Sequence, residues 1–192
     1  MISALILAAG QSKRMGQPKM PLPWGNMTVL EHVISTFKDA GIEDILVITG
    51  GAREQVEALV GDSAHTLFNP AYAEGEMLSS IQCGLAALKS RTQATLIGLG
   101  DQPQVRESSV KLVMEEYLKS GASLIVPSFQ MRRGHPWLAA REHWDEILHM
   151  SSPESPRDFL NRHANDIRYV LLDDPGVLKD LDTPEDYLNS KP

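Results

Sequence analysis

The chain has 192 residues, of which 42% are hydrophobic and 22% are charged, and its formal net charge is -7 at pH 7. This length and composition predict one compact domain over residues 1–192, with enough apolar chain for one sizeable core. The acidic balance argues against a nucleic-acid partner, because binding to a phosphate backbone relies on a broad basic surface.

The single cysteine, Cys83, excludes an internal disulfide, and no cysteines and histidines have the spacing of a zinc site. The apolar run at the N-terminus is too short to span a membrane and lacks the preceding basic region of a signal peptide. We therefore expect a cytoplasmic protein with no membrane partner and no targeting segment.

Short apolar runs alternate along the chain with longer amphipathic ones, as in a parallel sheet covered by helices on both faces. Strands are predicted at residues 3–7, 44–48, 65–68, 94–99, 123–127 and 167–172. Helices are predicted at residues 28–40, 53–59, 79–89, 108–119, 141–149 and 156–163. The predicted fold class is therefore α/β, with three α/β/α layers and a mostly parallel central sheet.

A glycine-rich basic loop follows the first predicted strand, and residues 7–19 read L-A-A-G-Q-S-K-R-M-G-Q-P-K. Gly10 and Gly16 would let the backbone turn tightly and bring N–H groups close to a polyphosphate. Fixed positive charge comes from Lys13, Arg14 and Lys19. The loop is neither a Walker A motif nor G-x-G-x-x-G. It indicates an anion-binding site, with a solvated basic turn as the alternative.

Asp101 stands in the motif G-D-Q-P, where the predicted strand at residues 94–99 ends. Ligands of open α/β sheets collect at the carboxyl ends of the strands. Mg2+ commonly takes one or two protein carboxylates and fills its other positions with phosphate oxygens and water. Asp101 is therefore a candidate metal ligand, although an aspartate here could also shape the turn before the helix at Ser108.

A second acidic motif, K-D-L-D-T-P-E-D, occupies residues 179–186. Thr183 is a plausible N-cap and Pro184 suits the first position of a final helix. Capping leaves Asp180 and Asp182 unexplained. Either carboxylate could come close to Asp101.

Two further segments carry polar side chains next to predicted elements. In residues 69–80 a glycine loop leads into a helix, so Asn69, Ser79 and Ser80 could bind a base or ribose, or could only cap the helix. After the fifth predicted strand comes R-R-G-H-P-W, in which guanidinium groups could bind a phosphate monoester. His135 in that motif could equally be a packed or surface residue.

Taken together, these motifs resemble the nucleotidyltransferases with a MobA-like fold. Their signature L-x-x-G-x-S-x-R-M-G-x-x-K is matched by Leu7, Gly10, Ser12, Arg14, Met15, Gly16 and Lys19. The likeness continues through L-P-W-G, G-D-Q-P and D-L-D-T-P-E-D. R-G-H-P, together with Ala8 and Ala9 in place of a second glycine, is similar to the branch of MocA-type molybdenum cofactor cytidylyltransferases.

The resemblance implies a Rossmann-like nucleotidyltransferase fold and an Mg2+-dependent enzyme that transfers CMP from CTP to the phosphate of molybdopterin, releasing pyrophosphate. It implies that Asp101 and Asp182, preferred over Asp180, bind the metal. Its catalytic residues would be Arg14, Lys19 and Asp101, and its acceptor-binding residues Arg133, Gly134 and His135. Nucleotide contacts would come from Leu7, Ala8, Ala9, Gly10, Ser12, Arg14, Lys19, Asn69, Ser79, Ser80 and Asp101.

Two rival functions remain open from the sequence. A relative that uses GTP, or another phosphorylated acceptor such as a sugar phosphate, would keep the first loop and Asp101 without needing R-G-H-P. A non-catalytic carrier would bind the cofactor and hand it to a molybdenum hydroxylase without releasing pyrophosphate. A nicotinamide oxidoreductase is disfavoured because the dinucleotide glycine pattern is missing.

Overall fold

The computed structural model describes residues 1–74 and 76–192. Its strands are β1 (Ile2–Ala8), β2 (Pro23–Trp24), β3 (Met27–Thr28), β4 (Ile45–Thr49), β5 (His65–Phe68), β6 (Ala94–Leu99), β7 (Leu124–Phe129), β8 (Arg132–Arg133), β9 (Trp137–Ala140) and β10 (Ile167–Leu171). Its α-helices are α1 (Val29–Asp39), α2 (Arg53–Val60), α3 (Glu76–Ala87), α4 (Glu107–Ser120), α5 (Trp144–His149), α6 (Pro156–Arg162) and α7 (Pro184–Ser190).

The main sheet has the strand order β10, β7, β9, β6, β1, β4 and β5, with β8 also paired to β7. β1 is parallel to both of its neighbours, so that Ala4 lies beside Ile45 of β4 and Leu96 of β6. β10 is parallel to β7, and β5 to β4. β9 is antiparallel to both β6 and β7. The predicted mostly parallel sheet is confirmed.

Helices cover both faces of this sheet, as predicted. Successive side chains of a strand point to opposite faces. Ile6 of β1 accordingly packs in a core cluster with residues of α1, α2 and α4, whereas its neighbour Leu5 packs in a second cluster with residues of α3, α5 and α6. The apolar runs of the central strands are buried on both sides, which explains why they read as continuous hydrophobic segments.

Several local predictions are confirmed and others are corrected. Thr28 and Glu31 form the predicted capping box of α1, and Thr183 caps α7. The helix predicted at residues 79–89 begins earlier, at Glu76, so Ser79 and Ser80 lie inside it. The helix predicted at residues 141–149 consists of a 3-10 turn, Arg141–His143, followed by α5. No helix among the described residues is long and apolar enough to cross a membrane.

Candidate functional site

The candidate site lies where β1 and β6 end. The two strands are adjacent and parallel, so their carboxyl ends reach the same edge of the sheet. The loop of residues 9–19 leaves β1 there, and Asp101 follows β6 two residues beyond its last residue, Leu99. From β1 the sheet continues to β4 on one side and to β6 on the other, and such a switch point is where open α/β sheets bind ligands.

The loop after β1 is folded back on itself by a few backbone contacts. Gly16 adopts a left-handed conformation with φ of 73°, and its N–H donates to the carbonyl of Ser12 at 3.1 Å. Ser12 also has a positive φ, and its Oγ accepts from the N–H of Lys19 at 3.3 Å. Gly10 does not take this conformation. A Cβ added at Gly10 would meet no atom within 4 Å, so the space beside the backbone at Gly10 is open.

Lys19 joins two carboxylates that are distant in the sequence. Its Nζ lies 2.8 Å from Asp101 Oδ2 and 2.7 Å from Asp182 Oδ1. Arg14 Nη2 donates to the other oxygen of Asp182 at 2.7 Å. The Lys19 side chain is only 10% exposed, whereas that of Arg14 is 70% exposed. The structure therefore brings four of the predicted residues into one cluster of alternating charge.

The electrostatics of this cluster favour a charged lysine. Burial lowers the pKa of Lys19, but the charges and hydrogen bonds of Asp101 and Asp182 outweigh it, and the net pKa is raised. Asp180 stands apart from the ion pairs and accepts from Gln102 Nε2 at 2.6 Å. Burial, assisted by the nearby Asp101 charge, raises the pKa of Asp180.

The segment that carries Asp182 is anchored directly against the segment that carries Asp101. The N–H of Leu181 donates to the carbonyl of Asp101 at 3.0 Å, and the Leu181 side chain is fully buried. Upstream, the buried Asp174 carboxylate accepts from Ser109 Oγ at 2.7 Å and from the Gly176 N–H at 2.9 Å. These contacts hold the C-terminal acidic motif at the end of β6.

A cavity of about 350 Å³ opens beside this cluster. The predicted site residues on its wall are Leu7, Ala9, Gly10, Ser12, Arg14, Lys19, Ser80, Asp101 and Asp182, together with Asp180. The wall also includes side chains that the sequence did not single out individually, which are Met20, Tyr72, Glu76, Met77 and Leu99. Tyr72, Glu76 and Met77 belong to the segment 69–80, whose loop and helix start were the available signal.

Three predicted nucleotide contacts, Ala8, Asn69 and Ser79, do not line that cavity. Ala8 is buried in the core, because its side chain points to the opposite face of β1 from Leu7. Asn69 is buried and its Nδ2 donates to Ser79 Oγ at 2.9 Å and to Ser80 Oγ at 3.1 Å. Asn69 thus orients the two serines of α3. Gly75, the glycine of the loop predicted before this helix, lies outside the described residues.

A second cavity of about 890 Å³ adjoins the first, and both include Glu76 and Met77 in their walls. Its wall contains Ser79 and the three predicted acceptor-binding residues Arg133, Gly134 and His135. The serine and proline turn before α6 also lines it. His135 Nδ1 lies 3.2 Å from the carbonyl of Ile97 in β6, and burial lowers the pKa of this imidazole.

The carboxylates fit a divalent cation that is shared with a substrate. Oxygens of Asp101 and Asp182 converge on one cationic atom, Lys19 Nζ, from two different segments. In residues 1–74 and 76–192, no group of three or more His, Cys, Asp or Glu side chains is arranged to hold a metal. Two carboxylates supply too few ligands for an all-protein cage but suit Mg2+, which completes its shell with phosphate oxygens and water.

Comparison with known proteins shows the family to which the chain belongs. Residues 4–167 match the model of the MobA-like NTP transferase domain. The chain belongs to that family. The matched range contains the loop after β1, Asp101 and all residues that line the two cavities except Asp180 and Asp182, which lie beyond it. The α/β fold with its mostly parallel sheet is thus that of a MobA-like nucleotidyltransferase.

Individual relatives in the MobA-like family match nearly the whole chain. The Escherichia coli molybdenum cofactor cytidylyltransferase is 28% identical over 191 residues, covering 99% of this chain and 95% of the relative. The crystal structure of Rv0371c from Mycobacterium tuberculosis is 25% identical, with a TM-score of 0.85 over 98% of this chain and 96% of that one. A manganese complex of Rv0371C superposes with a TM-score of 0.82 at 24% identity, over 98% of this chain and 96% of that one.

Proposed function

We propose that this MobA-like nucleotidyltransferase transfers CMP from CTP to the phosphate of molybdopterin, which forms molybdopterin cytosine dinucleotide and releases pyrophosphate. The proposal depends on one observation, which is that Lys19 forms ion pairs with both Asp101 and Asp182 at the wall of the smaller of two adjoining cavities. One cavity would hold the nucleotide and the other its acceptor. The named E. coli relative supports the choice of CTP and molybdopterin.

The loop after β1 would bind the triphosphate. Its open backbone at Gly10 and the exposed guanidinium of Arg14 face the smaller cavity. Arg14 uses one N–H on Asp182, and a guanidinium has five, so donors remain for phosphate oxygens. Lys19 adds a buried positive charge. Together these groups stabilise the charge that grows on the departing pyrophosphate.

Asp101 and Asp182 would hold Mg2+, which when bound neutralises phosphate charge and helps to align the reacting groups. The manganese complex of the related Rv0371C supports a divalent cation in this fold. We prefer Asp182 to Asp180 as the second carboxylate, because Asp180 faces Gln102 whereas Asp182 meets Asp101 at the same lysine.

The acceptor phosphate needs no strong base. Phosphate monoesters carry a charge between about -1.5 and -2 at neutral pH, so the attacking oxygen is already largely ionised. The P–O bond to the pyrophosphate breaks as the new P–O bond to the acceptor forms. The protein's contribution is then to position the two substrates and to stabilise charge.

The proposal is tested by following the α-phosphorus. CTP labelled at that phosphorus is incubated with Mg2+, molybdopterin and the protein. The products are then separated, and their masses are determined by mass spectrometry. We expect the label in a cytidine-containing dinucleotide, with one pyrophosphate released for each transfer. The matched control is Asp101→Asn, which keeps the shape of the side chain and removes its charge.

Other results would identify a different function. Label transfer from GTP, or to a sugar phosphate in place of molybdopterin, would keep the nucleotidyltransferase chemistry and overturn the proposed substrates. Tight binding of the pterin without pyrophosphate from any nucleotide would favour a cofactor carrier that serves a molybdenum hydroxylase.

A further inference from the structure

The larger cavity adjoins the smaller one, and Asp101 does not line its wall. At its near end, His135 Nδ1 lies 3.2 Å from the carbonyl of Ile97 in β6. A carbonyl oxygen only accepts, so Nδ1 carries the proton of this hydrogen bond. At its far end, Arg133 and Asn161 form the wall. Arg133 and His135 of the R-G-H-P motif therefore have different partners at the wall of one cavity.

Arg133 is fixed at the far end by two neutral partners. Its Nε donates to Tyr169 Oη at 2.9 Å, and its Nη1 donates to Asn161 Oδ1 at 2.8 Å. Its Cζ lies 5.8 Å from the centroid of the Tyr169 ring. Neither partner is an acid, so the positive charge of this guanidinium is not neutralised by them. Three of its five N–H donors remain for a ligand.

The partners of Arg133 place it well away from the transfer site. Tyr169 belongs to β10, which is separated from β6 by β9 and β7. Three strand spacings of about 4.8 Å amount to roughly 14 Å. An acceptor phosphate that attacks beside Asp101 lies at the smaller cavity, whereas Arg133, in β8 beside β7, lines only the larger cavity and is held by Tyr169 of β10. Arg133 is thus placed to bind a part of the acceptor other than its attacking phosphate.

We propose that Arg133, Asn161 and Tyr169 form a distal subsite for the end of the acceptor opposite its phosphate. This inference rests on the proposed function of the site. The free N–H donors of Arg133 would bind carbonyl oxygens or ring nitrogens, and its planar fork suits a flat group with two adjacent acceptor atoms. The substrate class is an elongated phosphate monoester with a heterocyclic head, such as a phosphorylated pterin. Asn161 and Tyr169 are positioning residues, since they act by holding Arg133.

The subsite predicts that long and short acceptors respond differently to mutation. A short phosphate monoester such as glycerol phosphate reaches only the end near Asp101. Loss of the Arg133 hydrogen bonds should therefore lower the affinity for the pterin by about 10- to 100-fold, the usual range for hydrogen bonds to a charged group. The same change should leave the affinity of the short monoester unaltered.

The experiment compares Arg133→Ala, Asn161→Ala and the control Arg168→Ala. Arg168 is the β10 neighbour of Tyr169, but its Nε donates to Glu116 of α4 at 2.7 Å and it does not line the cavity. Dissociation constants for molybdopterin and for glycerol phosphate are measured by calorimetry in the presence of a non-hydrolysable CTP analogue and Mg2+. KM for molybdopterin is measured alongside.

We expect Arg133→Ala to weaken the binding of molybdopterin but not of glycerol phosphate. Asn161→Ala should have the same effect by a smaller factor, and Arg168→Ala should change the affinity for neither ligand. A double variant that combines Arg133→Ala with Asn161→Ala should bind molybdopterin no more weakly than Arg133→Ala alone, since Asn161 acts through Arg133. Equal weakening of both ligands, or unaltered molybdopterin binding in Arg133→Ala, would overturn the distal subsite. A wild-type protein that binds molybdopterin and releases no pyrophosphate would instead contradict the proposed function.

Discussion

Lys19 bridges Asp101 and Asp182, with its Nζ 2.8 Å from an oxygen of the first and 2.7 Å from an oxygen of the second. The lysine belongs to the loop after β1, and the two acids follow β6 and precede α7. Three segments from the start, middle and end of the chain are thus joined at one buried cation. The contact brings the loop that we propose binds the triphosphate to the same point as the proposed metal ligands.

Replacing Lys19 should remove turnover and preserve the fold. We expect Lys19→Ala to lower the rate of pyrophosphate release by a factor of about 100 to 1,000, the usual effect of losing one donor that stabilises a transition state. Asp101 and Asp182 are partly exposed and can be hydrated in the variant. Far-UV circular dichroism should be unchanged. Lys38→Ala, at an exposed lysine of α1, is the control. A rate like that of the wild type would contradict a role for Lys19 in the transfer.

The two candidate carboxylates of the C-terminal motif should differ. We expect Asp182→Asn to reduce turnover by about 100-fold or more and to raise the Mg2+ concentration needed for half-maximal rate. Asp180→Asn should have a smaller effect on both quantities, because Asp180 Oδ1 is occupied by the Gln102 amide. Steady-state rates over a Mg2+ titration measure the difference. The reverse order of the two variants would transfer the metal role to Asp180.

Gly134 should be essential for the position of the R-G-H-P segment, which we propose binds the acceptor. A Cβ added there would lie 2.6 Å from the carbonyl oxygen of Val177, the same atom that accepts from the His135 N–H at 2.9 Å. Gly134→Ala must therefore shift backbone, at a cost of about 1 to 3 kcal/mol in the free energy of unfolding. We expect KM for the acceptor to rise while KM for CTP stays constant. An unaltered acceptor KM would show that the loop does not contact the acceptor.

His163 should make part of the stability depend on pH. Its ring nitrogens lie 2.7 Å from Glu146 Oε2 and 3.2 Å from Asp166 Oδ2, and the His143 ring is 5.0 Å away between centroids. Burial lowers the pKa of His163, but the hydrogen bonds to Glu146 and Asp166 outweigh it and raise the pKa above 6.5. A raised pKa means that the charged form favours the folded state. This contribution is fully present below pH 6.5 and is lost as the pH rises through the folded-state pKa.

We therefore expect the difference in unfolding free energy between wild type and His163→Gln to be largest below about pH 6.5 and to shrink at higher pH. The pH-dependent part should stay below about 1 kcal/mol, because both acids are partly exposed. Urea unfolding at a series of pH values measures it. A difference that is constant with pH would mean that His163 acts only through packing on Phe159, whose ring centroid lies 4.7 Å from that of His163.

Much of the parallel core could be predicted from the sequence, because its strands are buried on both faces and its helices carry their own end signals. β1 is apolar from Ala4 to Ala8, and Thr28 with Glu31 marks the start of α1. The loop after β1 and Asp101 were each predicted at the carboxyl end of a strand, where ligands of open α/β sheets collect. These features depend on short stretches of sequence and on one rule of sheet geometry.

Features that depend on distant partners could not be predicted. β9 is a run of four residues that inserts antiparallel between β6 and β7, and nothing in its own composition indicates those neighbours. The hydrogen bonds by which Asn69, an expected nucleotide contact, holds Ser79 and Ser80 of α3 were not predicted either. The different partners of Arg133, in α6 and β10, and of His135, in β6, are likewise contacts that only the tertiary structure provides.

The central claim is that the site transfers CMP to a pterin phosphate. The most direct test is pyrophosphate release with Mg2+ and molybdopterin, with CTP, GTP, ATP and UTP offered separately. We expect release with CTP at a rate at least tenfold above that with each of the other three nucleotides, and loss of that release in Asp101→Asn. Release that is fastest with another nucleotide, or release with CTP that does not require the pterin, would contradict the account.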